Sequence, residues 1–485
     1  MKKNFFSAAW LIAGAAVMFS SCSNDEDVIN GGNGNGNEPV QIISMQVANT
    51  GDNFLGTRAA NDRPLYSSAA MQNIENVKVV LYKLEGVTNE SSDAEKKAAM
   101  YGSKTIVAEK TFTPWMNGGV SSTYNDATKG HGRQASWTLA TADLIKTEGV
   151  YAAYAVGYNT DNYTELGAFD GLEKNGTITT PLNVTVGDKV KEIFAGSALF
   201  EVTKQALEEG ENDDSYHFNV SLTLHRQVAG SIGYFTNIPT KGNADNADKD
   251  GAKLRLVASA KNTKAVFAGF NSVYTGLPGD AATNVKYVVN GHTTATADAK
   301  FYGSTANDAF SVYEIELADW FKGTSMDTNN DGLLNELDDD WANAIDATNK
   351  DIVKVDAGSV LGGSFMIPFE LVENKATFQL QMLDDDGGII RYWNIRLPKT
   401  TGAEDSQIGK NVTVVAEGGT ESAGSVEENN INYSIVRNHL YTIGKRDGGD
   451  VPTDPDPDKP QDLNDETLLL RVNDNWEMIH HMEVD

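Results

Sequence analysis

The segment Asp327-Thr328-Asn329-Asn330-Asp331-Gly332-Leu333-Leu334-Asn335-Glu336-Leu337-Asp338 places oxygen-bearing side chains at alternate positions ahead of a glycine. This is the twelve-position pattern of a calcium loop. Asp327, Asn329 and Asp331 take the first three ligand positions, and Gly332 permits the sharp turn. Leu333 offers a carbonyl, Asn335 acts directly or through water, and Asp338 ends the loop one methylene short of the usual Glu. The expected chemistry is structural Ca2+ binding; the alternative is a solvated acidic loop. Leu334, Leu337, Trp341 and Ile345 follow at helical spacing, so a helix is expected after the loop. A second kind of chemistry centres on Cys22, the only cysteine. Lys2 and Lys3, an apolar stretch from Phe5 to Phe19, and Ser20-Ser21 precede it, the layout of an export signal with small residues before the cut. A cysteine just after that cut is an acyl acceptor; a plain secretory signal with a stray cysteine is the other reading. A third is proteolysis. Arg58 is followed by the small residues Ala59 and Ala60, a good substrate for a trypsin-like protease, or else an ordinary loop arginine. No Gly-x-Ser-x-Gly, His-Glu-x-x-His or glycine-rich phosphate loop occurs, and no enzyme activity is expected.

The elements that must hold these residues are strands. Asn76–Leu84, Phe218–Leu224, Thr377–Met382 and Tyr392–Leu397 alternate apolar with polar, the period of half-buried strands with one core face. Gly, Asn and Asp clusters such as Asn117-Gly118-Gly119 and Asp385-Asp386-Gly387-Gly388 punctuate them as turns. The expected class is all-β, with many short strands arranged as sandwiches. A chain of 485 residues is too long for one, so two in tandem are expected, with Glu208–Asp214 as linker. No repeat of about 20 to 50 residues marks a solenoid. The net charge of −29 argues against nucleic acid and anionic lipid as partners. With no cysteine after Cys22, packing and backbone pairing must carry the stability.

Two segments flank this body. Val40–Val47 reads as a strand and is followed by the polar turn Asn49–Asn53 and then Arg58. At the other end, Val451–Pro460 is a Pro/Asp spacer that builds neither helix nor central strand. Beyond it Leu468, Leu470, Val472, Trp476, Met478, Met482 and Val484 fall on even positions. Asn473, Asn475, Glu477, His481, Glu483 and Asp485 fall on odd ones. In an extended chain these are opposite faces. Such a strand fills a groove, either on another molecule or as a local edge strand on its own subunit.

Several matches in order along the chain carry a family resemblance. They are Cys22 with the acidic run Asp25-Glu26-Asp27, Arg58-Ala59, Glu192-Ile193-Phe194-Ala195-Gly196, Leu224–Ile232, Ile435–Ile443 and the tail around Val472 and Trp476. With these the chain resembles the Bacteroidetes fimbrillins, shaft subunits of type V pili, and most closely the minor-fimbria (Mfa-type) major subunit. The resemblance implies two transthyretin-like/Greek-key β-sandwich domains with short helical insertions. It implies a lipoprotein signal over 1–21, a lipidated propeptide over 22–58, sandwiches over 59–214 and 215–450, a linker over 451–466 and a donor strand over 467–485. It further implies a surface Arg-specific protease cutting at Arg58, release of the first strand, and entry of another subunit's donor strand into the groove. The partners would then be identical subunits in a filament together with anchor and tip pilins. The membrane would be met only through the precursor's lipid, on the outer membrane, before an extracellular fimbrium forms. A surface glycan-binding or tip-adhesin lipoprotein is the alternative expectation.

Overall fold

The structure, a computed structural model of the full chain, describes residues 41–47, 74, 76–100, 102–113, 115, 121–122, 133–158, 172–180, 182–185, 190, 193–204, 216–267, 287–345, 355–396, 412–417, 421–424, 431–445, 461–464 and 468–473. Strands dominate them, as the alternation predicts. The one α-helix among the described residues, α1 (Asp93–Ala99), opens on a capping box in which Ser92 and Glu95 exchange hydrogen bonds.

Nine strands make the first sheet: β1 (Gln41–Val47), β2 (Asn76–Lys83), β3 (Gly102–Phe112), β4 (Ser121–Ser122), β5 (Arg133–Thr138), β6 (Gly149–Tyr158), β7 (Thr177–Thr180), β8 (Phe194–Lys204) and β9 (Tyr216–Arg226). Their spatial order is β4-β5-β1-β9-β8-β6-β2-β3-β7. β8 and β9 pair near their two ends, at Tyr216–Lys204 and at Arg226–Phe194, with no paired residues between His217 and His225. Ile43 and Met45 of β1, Trp137 of β5 and Val220 of β9 share one core with Val77 and Val79 of β2 and Tyr151 of β6.

The second large sheet contains β10 (Ala229–Thr236), β11 (Lys253–Ala258), β12 (Phe310–Glu316), β13 (Val360–Met366), β14 (Phe378–Leu383), β15 (Ile389–Arg396), β16 (Leu440–Lys445) and β17 (Leu468–Asn473). The order is β12-β11-β14-β15-β17-β16-β10-β13, and the short pair Gln461–Asp462 adds beside β10. Its core holds Leu254, Leu256, Phe378, Leu380, Trp393 and Tyr441. The all-β class with sandwich packing is therefore what the chain adopts.

Two features differ from the simple alternation picture. β2 is buried along nearly its whole length, including Lys78, rather than on one face. Its odd residues Val77, Val79 and Leu81 line the first core, whereas Val80 and Tyr82 line a second. That second core also takes Val228, Phe267 and Ile367, so the first sheet's outer face is covered by later chain. In addition, β9 begins just after the expected linker at Glu208–Asp214 yet pairs into the first sheet. The chain changes sheets between Arg226 and Ala229.

Candidate functional site

The N-terminal strand sits inside the first sheet, not at its edge. β1 runs parallel to β9, from Gln41 opposite Phe218 to Val47 opposite Leu224. It runs antiparallel to β5, with Ile43 opposite Trp137 and Met45 opposite Ala135. Alternate residues enter the core: Gln41, Ile43 and Met45 are buried, and Ile42 and Ser44 lie at intermediate depth. Each inward apolar side chain contributes about 1.5–3 kcal/mol of burial. Among the described residues, β1 is the strand that joins the β4–β5 pair to β9 in the order of the sheet. Residues 48 to 75 connect it to β2. Arg58 and Ala59 belong to that connection and lie outside the described residues, as does Cys22.

The first residue of β1 is polar and nearly fully buried. The Gln41 side-chain amide donates to the carbonyls of Ile145 at 2.7 Å and Tyr216 at 2.9 Å. Its carbonyl accepts from the Ile145 backbone N–H at 2.8 Å. The Gln41 backbone carbonyl accepts from Leu139 N–H at 3.0 Å. Sequence reasoning missed Gln41 because a glutamine opening a strand carries no motif. The one signal was its place in the inward series Gln41, Ile43, Met45.

The C-terminal segment begins at home. Leu468, Leu470 and Val472 belong to β17, which pairs antiparallel with β16, Leu470 opposite Ile443 and Val472 opposite Tyr441. Leu468 and Leu469 also pair in parallel with Ile395 and Arg396 of β15. Leu470 and Val472 therefore stand opposite residues whose side chains are buried in the second core. Trp476, Met478, Met482 and Val484 lie outside the described residues.

The loop at 327–338 is closed by side-chain to backbone hydrogen bonds. The Asp327 carboxylate accepts from the backbone N–H groups of Asp331 at 3.2 Å and Gly332 at 2.9 Å. Gly332 has φ +85° and Asn330 φ +59°, the left-handed turns that glycine and asparagine tolerate. Asp331 accepts from Leu333 N–H and from the amides of Asn329 and Asn335. The Asn335 contact first, then these others, holds its carboxyl below the ordinary range. Asp338 is buried and ties the loop shut by accepting from Thr328 N–H and Asn335 N–H, each at 2.8 Å.

These groups are all hard oxygens, which suits calcium, while Asp331 Oδ2 and Asp338 Oδ1 each already accept two hydrogen bonds. Among the described residues no three His, Cys, Asp or Glu side chains are grouped to hold a metal. Ion binding would thus fall to Asp327, Asp331 and the Asn329 and Asn335 carboxamides with the Leu333 carbonyl. The expected helix after the loop does not form. Leu333–Leu334 pairs with Ile238–Pro239 as a short strand, Leu337 is 62% exposed, and Trp341 forms a bridge with Phe321. The Asp338 clip and this pairing hold the backbone away from helical geometry.

Three of the matched segments, Glu192–Gly196, Leu224–Ile232 and Ile435–Ile443, meet through their described residues at the crossover between the sheets. Gln227 N–H donates to Ile193 O at 2.8 Å, and the Arg226 guanidinium lies over the Phe194 ring at 4.8 Å. Asn438 N–H donates to Val228 O, and Gly230 N–H donates to His439 O, both at 2.9 Å. Asn290 donates to Val266 O and Gln227 O. Arg226, Gln227, Asn290, Arg437 and His439 are all buried here. Segments far apart in sequence thus form one polar joint.

No family model matches the chain, and no curated protein matches it. Among solved structures it is similar to a fimbrial assembly protein from Parabacteroides distasonis, at 11% identity and TM-score 0.32, over 83% of this chain and 90% of that one. It is also similar to the fimbrial anchor protein Mfa2 from Porphyromonas gingivalis, at 10% identity and TM-score 0.30, over 90% of this chain and 97% of that one. At these values the superposition is loose. Its structural neighbours are fimbrial assembly and cell adhesion proteins of the Bacteroidetes, alike at the level of fold.

Proposed function

We propose that this chain is a non-enzymatic fimbrial subunit whose first strand is a replaceable member of its own sheet. The observation that carries this reading is the position of β1. It is the first of the described strands, hydrogen-bonded on both sides inside a sheet, and residues 48–75 join it covalently to β2. A cut at Arg58 would leave β1 held by non-covalent contacts alone. Its departure would expose the edges of β5 and β9 and the apolar floor beneath Ile43 and Met45. Exposed edges and floor of this kind recruit another strand. Donor and acceptor are different surfaces of the molecule, so the contact is heterologous and propagates as a filament.

In this reading Cys22 carries the lipid that displays the precursor on the outer membrane, and cleavage removes β1 with the lipid. The donor is the C-terminal segment 467–485. Its first part rests in β17, so donation requires leaving β15 and β16 or reaching across with the residues beyond Asn473. The partners are further copies of the chain, anchor and tip subunits, and an Arg-specific surface protease. The fimbrium then serves adhesion and biofilm formation. The loop at 327–338 holds a structural calcium ion in the second half of the molecule. Arg58→Ala tests the trigger. Cells carrying it should accumulate a lipidated, monomeric precursor and no fibres, and fibres assembled by this variant would overturn the reading.

A further inference from the structure

Between the Pro/Asp spacer and β17 the chain makes a short contact that ties it to the second sheet. Gln461 and Asp462 pair in parallel with Phe235 and Thr236 of β10. β13 takes the other edge of β10 as far as Phe235, so this pair continues the edge that β16 uses from Gly230 to Ile232. Leu463 N–H donates to Thr236 O at 2.9 Å, and Leu463 is fully buried in the core that also holds Ile238 and Leu334. The Asn237 side-chain amide donates to the Asp462 carboxylate at 3.0 Å, whose other oxygen accepts from Asn464 N–H at 2.9 Å. The receiving segment is itself held from behind. Thr236 Oγ1 donates to Gly358 O at 3.2 Å, Ile238–Pro239 pairs with Leu333–Leu334, and Thr240 donates through both N–H and Oγ1 to Gly332 O. Residues 235–240 are thus clamped between the 327–338 loop and residues 461–464.

We propose that Gln461–Asn464 is a clip that stays on its own subunit while the chain beyond it is donated. This rests on the strand-replacement reading and adds a fixed point to it. β17 follows the clip after residues 465–467. Its pairing with β15 is confined to Leu468 and Leu469, next to the clip, whereas from Leu470 to Asn473 the paired neighbour is β16. Sliding β17 along β16 would break all of these pairs together and pull Leu463 from the core. Peeling from Asn473 breaks them one at a time, starting at the end held on one side, as fraying strand ends open. A buried leucine and a charge-assisted hydrogen bond from Asn237 are two independent reasons for the clip to outlast the peel. The clip therefore keeps β17 in register and makes Asn473 its opening end. The link between subunits is then counted from Asn464 and not from the spacer. Residues 465–485 span up to about 70 Å when extended.

The experiment has two arms on the full-length chain. In the first, disulfide staples are built with Cys22→Ser in every sample. Thr236→Cys with Asp462→Cys, which stand opposite one another, ties the clip to β10. Thr442→Cys with Arg471→Cys ties β17 to β16. Each protein is cut with limited trypsin, oxidised or reduced, and its ladder of multimers is read by size-exclusion chromatography. The oxidised clip staple should give the same ladder as the unstapled chain. The oxidised β17 staple should give about 10-fold less, restored by reduction. A clip staple that blocks the ladder until it is reduced overturns the clip. A β17 staple that leaves the ladder intact overturns it too, because the fixed part then reaches past Asn473. In the second arm, hydrogen exchange is followed in the intact chain. The Leu463 amide should exchange about 10-fold more slowly than the amides of β17, and about 10-fold faster in Asp462→Ala than in the wild type. Leu463 exchanging as fast as β17 overturns the clip, whatever the ladders show. An unstapled chain that loses β1 on cutting and gives no ladder overturns strand replacement, and the clip's part in donation with it, even where Leu463 is protected.

Discussion

One side-chain amide joins the start of β1 to residues 104 and 175 positions away, whereas the loop at 327–338 is built almost wholly from its own neighbours. That contrast explains what was legible residue by residue. The turns of this loop could be read because its carboxylates, its carboxamides, its glycine and Asp338 all lie within one short window, with Asn330 and Gly332 at positive φ. The helix expected after it was misread. Leu334, Leu337 and Trp341 have helical spacing, but the pairing of Leu333–Leu334 with Ile238–Pro239 is a tertiary contact that no local pattern announces. Two predictions belong at this scale. Asp331→Ala should weaken calcium binding and lower the thermal stability of the second half of the protein. Calorimetry that finds no heat of calcium binding by the intact protein would remove the ion from the account. Gly358→Ala should destabilise the same region more severely. Gly358 has φ +74°, and a Cβ there would lie 2.0 Å from the backbone nitrogen of Glu336. The combined strain should lower the midpoint of thermal unfolding by several degrees, a loss of about 1–3 kcal/mol.

Among the elements, β1 and β17 behave as the two ends of one question. Both were visible as strands from alternation alone, and β1 occupies Gln41–Val47, within the expected Val40–Val47. Alternation could not tell that β2 would be buried on both faces, because Lys78 and Lys83 look like solvent-facing positions in sequence. Lys78 is buried against Glu109, its partner at 2.5 Å. The home pairing of β17 was likewise open, since an apolar tail fits a groove on any molecule. It now separates two truncations. Deleting 474–485 leaves β17 paired with β15 and β16, so the protein should fold with unchanged stability, be exported and cut, and fail to polymerise. Deleting 467–485 removes β17 as well, exposing the edge of β16, and should lower the unfolding midpoint besides abolishing assembly. If the shorter deletion still assembles, the residues beyond Asn473 are not the donor. Within them, Trp476→Ala should weaken assembly by about 3–5 kcal/mol per contact if that side chain is buried in the partner, and Asn475→Ala far less, measured as fibre yield.

In the whole molecule the two large sheets are joined at a buried polar crossover, and three of the six matches that suggested a family from sequence build it. Glu192–Gly196 supplies Ile193 and Phe194, Leu224–Ile232 supplies Arg226 to Gly230, and Ile435–Ile443 supplies Asn438 and His439. Their order in sequence was readable; their convergence was not, because the joint depends on pairings across more than two hundred residues. The location of the crossover was also hidden. An acidic stretch looks like a linker, but the chain passes from it into β9, still part of the first sheet, and changes sheets only after Arg226. At this scale the account stands on one claim: β1 is held in the first sheet by contacts that another molecule's strand can replace once the chain is cut. The direct measurement is size-exclusion chromatography of the full-length protein before and after limited trypsin treatment, with Arg58→Ala as control. The account predicts a monomer before cutting, a ladder of multiples of the subunit mass afterwards, and a much weaker ladder from the Arg58→Ala protein. A wild-type chain that is cut after Arg58, loses residues 41–47 and stays monomeric would contradict it.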